Sequence, residues 1–256
     1  MGYRLRKVLK AKPQKKIKAT DAIFDNIKKD QAGETPEQVK RWSMACKATV
    51  NIGACSRGGY TRGDHQASDH DLGCKEKYSP CGIVDEDTAQ LYVTFGSSSK
   101  TSDFIVDTLV AWWQGRNATE QGAIERIQIK IDNGSESSGV RTQCLHRLVQ
   151  LVDTIGKPLH LLYYPPYHSK SKPSERCWGM MEWHWNGAQL IDVETMLEWA
   201  KRMTWKGLHP VVELSRKVYA KGVSLSKAAM RAVEARLERN PLLPKWDILI
   251  RPAGAD

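Results

Sequence analysis

Residues 126–139, RIQIKIDNGSESSG, carry the decisive pattern of this chain. Ile127, Ile129 and Ile131 alternate with polar side chains up to Asp132, where Asn133 and Gly134 break the run. A period of two is the mark of a strand, and Asn-Gly is among the strongest turn signals. Downstream, Val140, Cys144, Leu148, Leu151 and Val152 recur at helical spacing across 140–155, and LHLLYY (159–164) is almost wholly apolar. Such a strand is expected where a sheet is covered on both faces. Strand, turn, helix and strand in this order predict an α/β sheet flanked by helices, with the two strands able to be neighbours.

Working outward, CGIVDEDTAQLYVTFG (81–96) is a hairpin pattern, two β-branched runs around an acidic turn. SSSKTSDFIVDTLVAWWQ (97–114) has Ser/Thr caps followed by apolar residues at helical spacing. RWSMACKATVNIG (41–53) is a strand or two in tandem, followed by a Gly- and charge-rich loop over 56–78. A short helix is expected over 22–29, and a Trp-rich helix from Pro173 to about Trp185. The remainder, to about Asn240, is expected to be mostly helical. These elements divide the chain into a basic arm and linker (1–38), the sheet domain (39–200) and a basic helical extension packed on it (201–256).

Composition limits the function classes. Of 256 residues 41% are hydrophobic, enough for a core and too many for a disordered chain. No apolar run approaches the roughly 18 residues that cross a bilayer, and LRKVLKAK at the start is too cationic for a signal peptide. Six cysteines without a Cys-x-x-Cys pair do not form a secreted disulfide framework, which points to the reducing cytoplasm. The formal charge is +10 and is unevenly spread. Arg4, Arg6, Lys7, Lys10, Lys12, Lys15, Lys16 and Lys18 face no acid within 1–18, and residues 201–240 hold ten cations against three acids. The stretch between is net acidic. Cationic flanks of this kind suit a phosphate backbone, although each alone is equally a solvated tail or helix face.

The acids form a pattern of their own. Asp132 ends its strand, and carboxylates at strand ends face the crevice where open α/β sheets bind ligands. Glu175 opens the helix after the next strand, and Glu182, seven residues on, shares a helix face with it and Trp178. Two or three such oxygens facing a cationic surface suit Mg²⁺ or Mn²⁺ with a phosphodiester. Each acid also has a purely structural account: Asp132 as a turn residue before Asn-Gly, Glu175 as a helix-start acid behind Lys172 and Pro173. Cys55, His65, His70, Cys74 and Cys81 share one loop-rich stretch, but their irregular spacing favours scattered structural or free residues over zinc. Trp178, Trp183 and Trp185 fit a core stripe better than a base-stacking surface. The SRGG loop, with Arg57 and Arg62, is either a phosphate-approaching or a plain flexible loop.

Longer motifs carry a resemblance. IDNGSESSGVRTQ, YYPPYHSKSKPSERCWGMMEWHWNG and LEWAKRMTWKGLHPVVELSRKVYAKGV, with KATVNIG, SRGG, FGSSSKTSDFIVD and LPKWDILI, resemble the Rhodopirellula-type insertion-sequence transposases. The resemblance implies a ribonuclease-H-like fold, Mg²⁺ or Mn²⁺ held by three acids, and DNA strand cleavage and transfer. Asp132 matches the second acid and Glu175 the third; His168, Ser169 and Lys170 match the loop before the third, with phosphate contact as the implied role. The partners implied are transposon-end and target DNA, with a homodimer as one assembly, at the bacterial nucleoid. At the position of the first acid stands Ala45, which cannot ligate a cation, so weakened metal binding and impaired chemistry are expected. Asp64, Asp69 and Asp71 lie beyond that strand, and Asp85 and Asp87 at the hairpin tip, on the wrong end of the sheet. The resemblance implies a helix-turn-helix segment ahead of the GYRLRKVLKAKPQKK stretch, which this chain is expected to lack. The alternative is a non-catalytic DNA-binding remnant or a repressor of transposition.

Overall fold

The computed structural model describes residues 16–29, 38–61, 66–68, 74–168 and 172–254. Helix α1 (Thr20–Lys29) precedes strands β1 (Val39–Cys46) and β2 (Val50–Gly53). The hairpin β3 (Cys74–Asp85) and β4 (Leu91–Gly96) leads into α2 (Ser102–Gln114) and α3 (Ala118–Ala123). Strand β5 (Arg126–Asp132), helix α4 (Thr142–Ile155) and strand β6 (Leu159–Tyr164) follow, and then α5 (Pro173–His184) and α6 (Val193–Arg202). The chain continues with β7 (Val211–Ser215), α7 (Lys227–Glu234), β8 (Leu237–Arg239) and β9 (Asp247–Ile250).

These strands make one nine-stranded mixed sheet, ordered β7-β4-β3-β1-β5-β6-β9-β8, with β2 paired to β3. At its centre β1, β5 and β6 run parallel, in the registers Met44↔Ile131 and Asp132↔Tyr164. The period-two pattern of β5 sorts its side chains. Ile127, Ile129 and Ile131 join Phe104, Leu109, Leu145, Leu148 and Val152 in the core under α2 and α4. Gln128, Lys130 and Asp132 therefore point to the opposite face, as do Ser43 and Ala45 of β1. On that face α5 and α6 bury Trp178, Met181, Trp185 and Met196 against β2, β3 and β4, and α1 packs Ile23 and Ile27 near Leu162 and Tyr164 of β6.

Local chemistry sets the helix limits. Thr101 caps α2 by accepting from the Phe104 N–H, and α4 stops at Gly156, whose φ of 65° is one that glycine adopts without penalty. Gly82 of β3 matters for a different reason: a Cβ there would stand 2.6 Å from the Trp178 ring, so only glycine lets α5 lie this close.

Three expectations need correction. The C-terminal stretch is not mostly helical: beyond α6 it supplies α7 alone among helices of the described residues, and three strands that extend both sheet edges. β7 is an edge strand with an exposed or half-exposed face, so it lacks the buried alternation that would mark it. The loop expected over 56–78 ends early, because β3 begins at Cys74 and pairs with β2. Finally, Cys55 and Cys74 are not scattered but joined in a disulfide, their Cα atoms 5.8 Å apart; Cys46, Cys81, Cys144 and Cys177 are free thiols. No helix among the described residues is long and apolar enough to cross a membrane.

Candidate active site

The carboxyl ends of β1 and β5 meet the start of α5. Because Met44 pairs with Ile131, Ala45 lies beside Asp132 in the sheet and on the same face. The first turn of α5 is anchored there by two hydrogen bonds: the Ser43 hydroxyl donates to Ser174 Oγ at 3.2 Å, and the Ser174 N–H donates back to Ser43 Oγ. That contact places Glu175 over the strand ends.

Both oxygens of Asp132 are engaged. Oδ1 accepts from the Ser137 hydroxyl at 3.3 Å. Oδ2 lies 3.9 Å from the Lys172 ammonium, whose side chain is only 8% exposed. The same ammonium stands 5.7 Å from the centre of the Tyr164 ring. The turn after Asp132 is closed by Asn133, whose Oδ1 accepts from the Gly139 N–H. Burial pushes the Glu175 carboxyl above its ordinary value, opposed by Lys172 and reinforced by Asp132. Burial pulls the Lys172 ammonium down, against the two carboxylates that favour its charge. Ala45, itself buried, lines with Asp132 and Ser137 a void of about 40 Å³.

A divalent ion does not fit these residues. Ala45 offers no donor, a cation of the protein's own faces Asp132, and no cluster of three or more His, Cys, Asp or Glu side chains able to hold a metal exists among the described residues. Glu182 does not join the other two acids. Its carboxylate is gripped by Arg57 at 2.9 and 2.8 Å and by Lys47. Burial alone would raise its pKa, but these cations outweigh it and hold it below the ordinary glutamate range.

Other expected residues fall elsewhere. Asp85 and Asp87 sit at the opposite end of β1, paired with Lys40 and Arg41. The SRGG loop is seated rather than free: Arg57 is spent on Glu182 and stacks 4.9 Å from the Trp185 ring, and a Cβ on Gly59 would collide with Asn186. Trp178 and Trp185 are core, whereas Trp183 is 72% exposed. His168 has one ring nitrogen bonded to the Pro166 carbonyl and its ring edge on Phe24. Lys16 is ion-paired to Asp21, and Lys18 is exposed. Arg4, Arg6, Lys7, Lys10, Lys12, Lys15, Arg62, Asp64, His65, Asp69, His70, Asp71, Ser169 and Lys170 lie outside the described residues.

Two features escape a reading by spacing. Lys172 is the first; its sequence signal is a cation directly before a helix-opening proline, where the helix dipole favours anions. The second is a groove of about 590 Å³ beside the acids, lined by Ser97, Ser98, Ser99, Lys77, Lys100 and Lys221 among others. The three lysines are exposed and have no ion-pair partner among the described residues. Its lone carboxylate, Glu136, is itself 3.4 Å from Arg141.

The profile of the family described as the Rhodopirellula transposase DDE domain matches residues 1–252. The chain belongs to that family. Its mixed sheet flanked by helices is the ribonuclease-H-like fold of transposases. The Mos1 transposase paired-end complex with the left transposon end aligns with a TM-score of 0.53 at 12% identity, over 77% of this chain and 57% of that one. The pre-cleavage Mos1 transpososome gives 0.52 at 12% identity, over 77% and 58%. A Mos1 mariner paired-end complex with Mn gives 0.50 at 12%, over the same 77% and 58%. At such identity the likeness is one of fold, and this DDE-family chain spans 57–58% of the Mos1 chains it matches. No curated protein matches the sequence.

Proposed function

We propose that this chain is the catalytic-domain portion of an insertion-sequence transposase that retains its grip on DNA and has lost most of its strand-cleaving chemistry. Asp132 and Glu175 are the surviving second and third acids of the family's triad, and the transposon's ends and target are the DNA. The observation that supports this is the register of β1 on β5, which puts the buried Ala45, matched by resemblance to the first acid, beside Asp132. Chemistry that depends on ions clamped between three carboxylates loses its geometry when one is absent. Divalent-metal binding is therefore weakened in this member, whatever its relatives hold.

The DNA reading is supported by the groove of unpaired lysines and serine hydroxyls that opens beside the acids. Serine hydroxyls and ammonium groups are the side chains that contact phosphates in a sequence-independent way. The test is a binding and nicking assay on duplex DNA bearing the element's terminal repeats, with Mg²⁺ or Mn²⁺ present. Salt-sensitive binding without strand cleavage is the expected result. Replacing Lys77, Lys100 and Lys221 together by alanine should lower the slope of log affinity against log salt by about 2 to 3. Robust nicking by the unaltered chain would overturn the impairment, and an unchanged salt slope would remove the groove from the DNA path. A non-catalytic repressor is the second reading; the charge arrangement around Lys172 favours it, and inhibition of strand cleavage by an intact transposase when this chain is added would select it.

A further inference from the structure

We propose that Lys172 is a built-in counter-ion for the acid pair, occupying by charge the role that a divalent cation would fill and closing the site to one. The inference rests on the reading of Asp132 and Glu175 as the family's acids.

Three independent features place this ammonium where it is. Lys172 occupies the capping position of α5 and makes no side-chain hydrogen bond to the helix N-terminus. A cation there meets the positive end of the helix dipole, and burying it strips its water. Such a position is tolerable only if anions compensate. Asp132 Oδ2 supplies one at 3.9 Å, Glu175 stands in the first turn of the same helix, and the Tyr164 ring offers its face from another side. The two residues at odds with a metal site act in the same sense. Ala45 offers no anion and Lys172 offers a cation, so the site holds two carboxylates and one ammonium. A divalent ion approaching Asp132 now meets a fixed positive charge at close range. Restoring the acid at position 45 leaves that charge in place.

The structure thus predicts that metal affinity returns only when both positions change. Asparagine is the informative replacement at 172, because it removes the charge and supplies the side-chain acceptor that the helix N-terminus lacks. Mn²⁺ binding is measured on the full chain by calorimetry and by electron paramagnetic resonance for the unaltered protein, Ala45→Asp, Lys172→Asn, Lys172→Asn with Ala45→Asp, and Lys172→Arg with Ala45→Asp. The Lys172→Asn, Ala45→Asp protein should bind Mn²⁺ at least about tenfold more tightly than Ala45→Asp alone. Lys172→Arg with Ala45→Asp keeps the charge and should bind no better than Ala45→Asp. Equal affinity of Ala45→Asp and the Lys172→Asn, Ala45→Asp protein would overturn the role of Lys172 while leaving the acid assignment standing. If the doubly altered protein stays folded by circular dichroism and still binds no Mn²⁺, the acid assignment fails, and the inference with it.

Discussion

The two ends of α5 carry the same residue type in opposite circumstances. Glu182, near the carboxyl end, is held by Lys47, just after β1, and by Arg57, in the loop after β2, and its carboxyl is pulled below the ordinary range. Glu175, in the first turn, is half-buried with a lysine that also serves Asp132, and its carboxyl is pushed up. One end is a finished joint: Arg57 Nη2 donates to both Glu182 oxygens and the guanidinium lies on Trp185, while Gly59 and Gly187 bring two backbones into contact. The other end is an unequal cluster beside a void. Glu182, one carboxylate, is held by two cations. Asp132 and Glu175 instead share one buried lysine, Lys172, between them.

The contrast is open to attack at the finished end first. Gly59 has a φ of +88°, and its added Cβ would stand 1.8 Å from Asn186 Oδ1 and 2.7 Å from the backbone of Gly187. Gly59→Ala should therefore cost about 2–4 kcal/mol in chemical denaturation, from left-handed strain and overpacking combined. A loss within error would mean that the loop is not seated on α5. Next comes the glutamate pair. Glu182→Gln should destabilise the protein by about 1–2 kcal/mol at pH 7, a figure already reduced for partial exposure. Its folded carboxyl titrates below the unfolded value of 4.5, so the stability it contributes is present above that pH and fades as pH falls through the lower folded value. Glu175→Gln has the opposite sign: it relieves a carboxylate whose charge is disfavoured in the fold, and should leave stability unchanged or raise it by less than about 1 kcal/mol at neutral pH. Equal losses from the two variants would erase the contrast.

What the sequence reveals follows from how locally each feature is determined. The core strands β5 and β6 and the helix between them are legible because burial on two faces forces an apolar pattern onto consecutive residues. Helix α5 is legible at its start because Pro173 suits only a first turn. Strands β7, β8 and β9 are three to five residues long and sit at or near sheet edges, where little burial is needed and little pattern is left. The pairing of Arg57 with Glu182 spans 125 positions and the approach of Lys172 to Asp132 spans 40, so neither leaves a local trace. Ala45 is a different case. Its meaning lies in the neighbour across the strand, and the register that supplies Asp132 as that neighbour is a property of the sheet.

The hydroxyl pair between Ser43 and Ser174 has a mechanical consequence. Because these two side chains dock the first turn of α5 onto β1, a change at either one would reach Glu175 by moving the start of the helix that carries it. An exchange of either serine for alanine would thus act on the acids without touching a carboxylate.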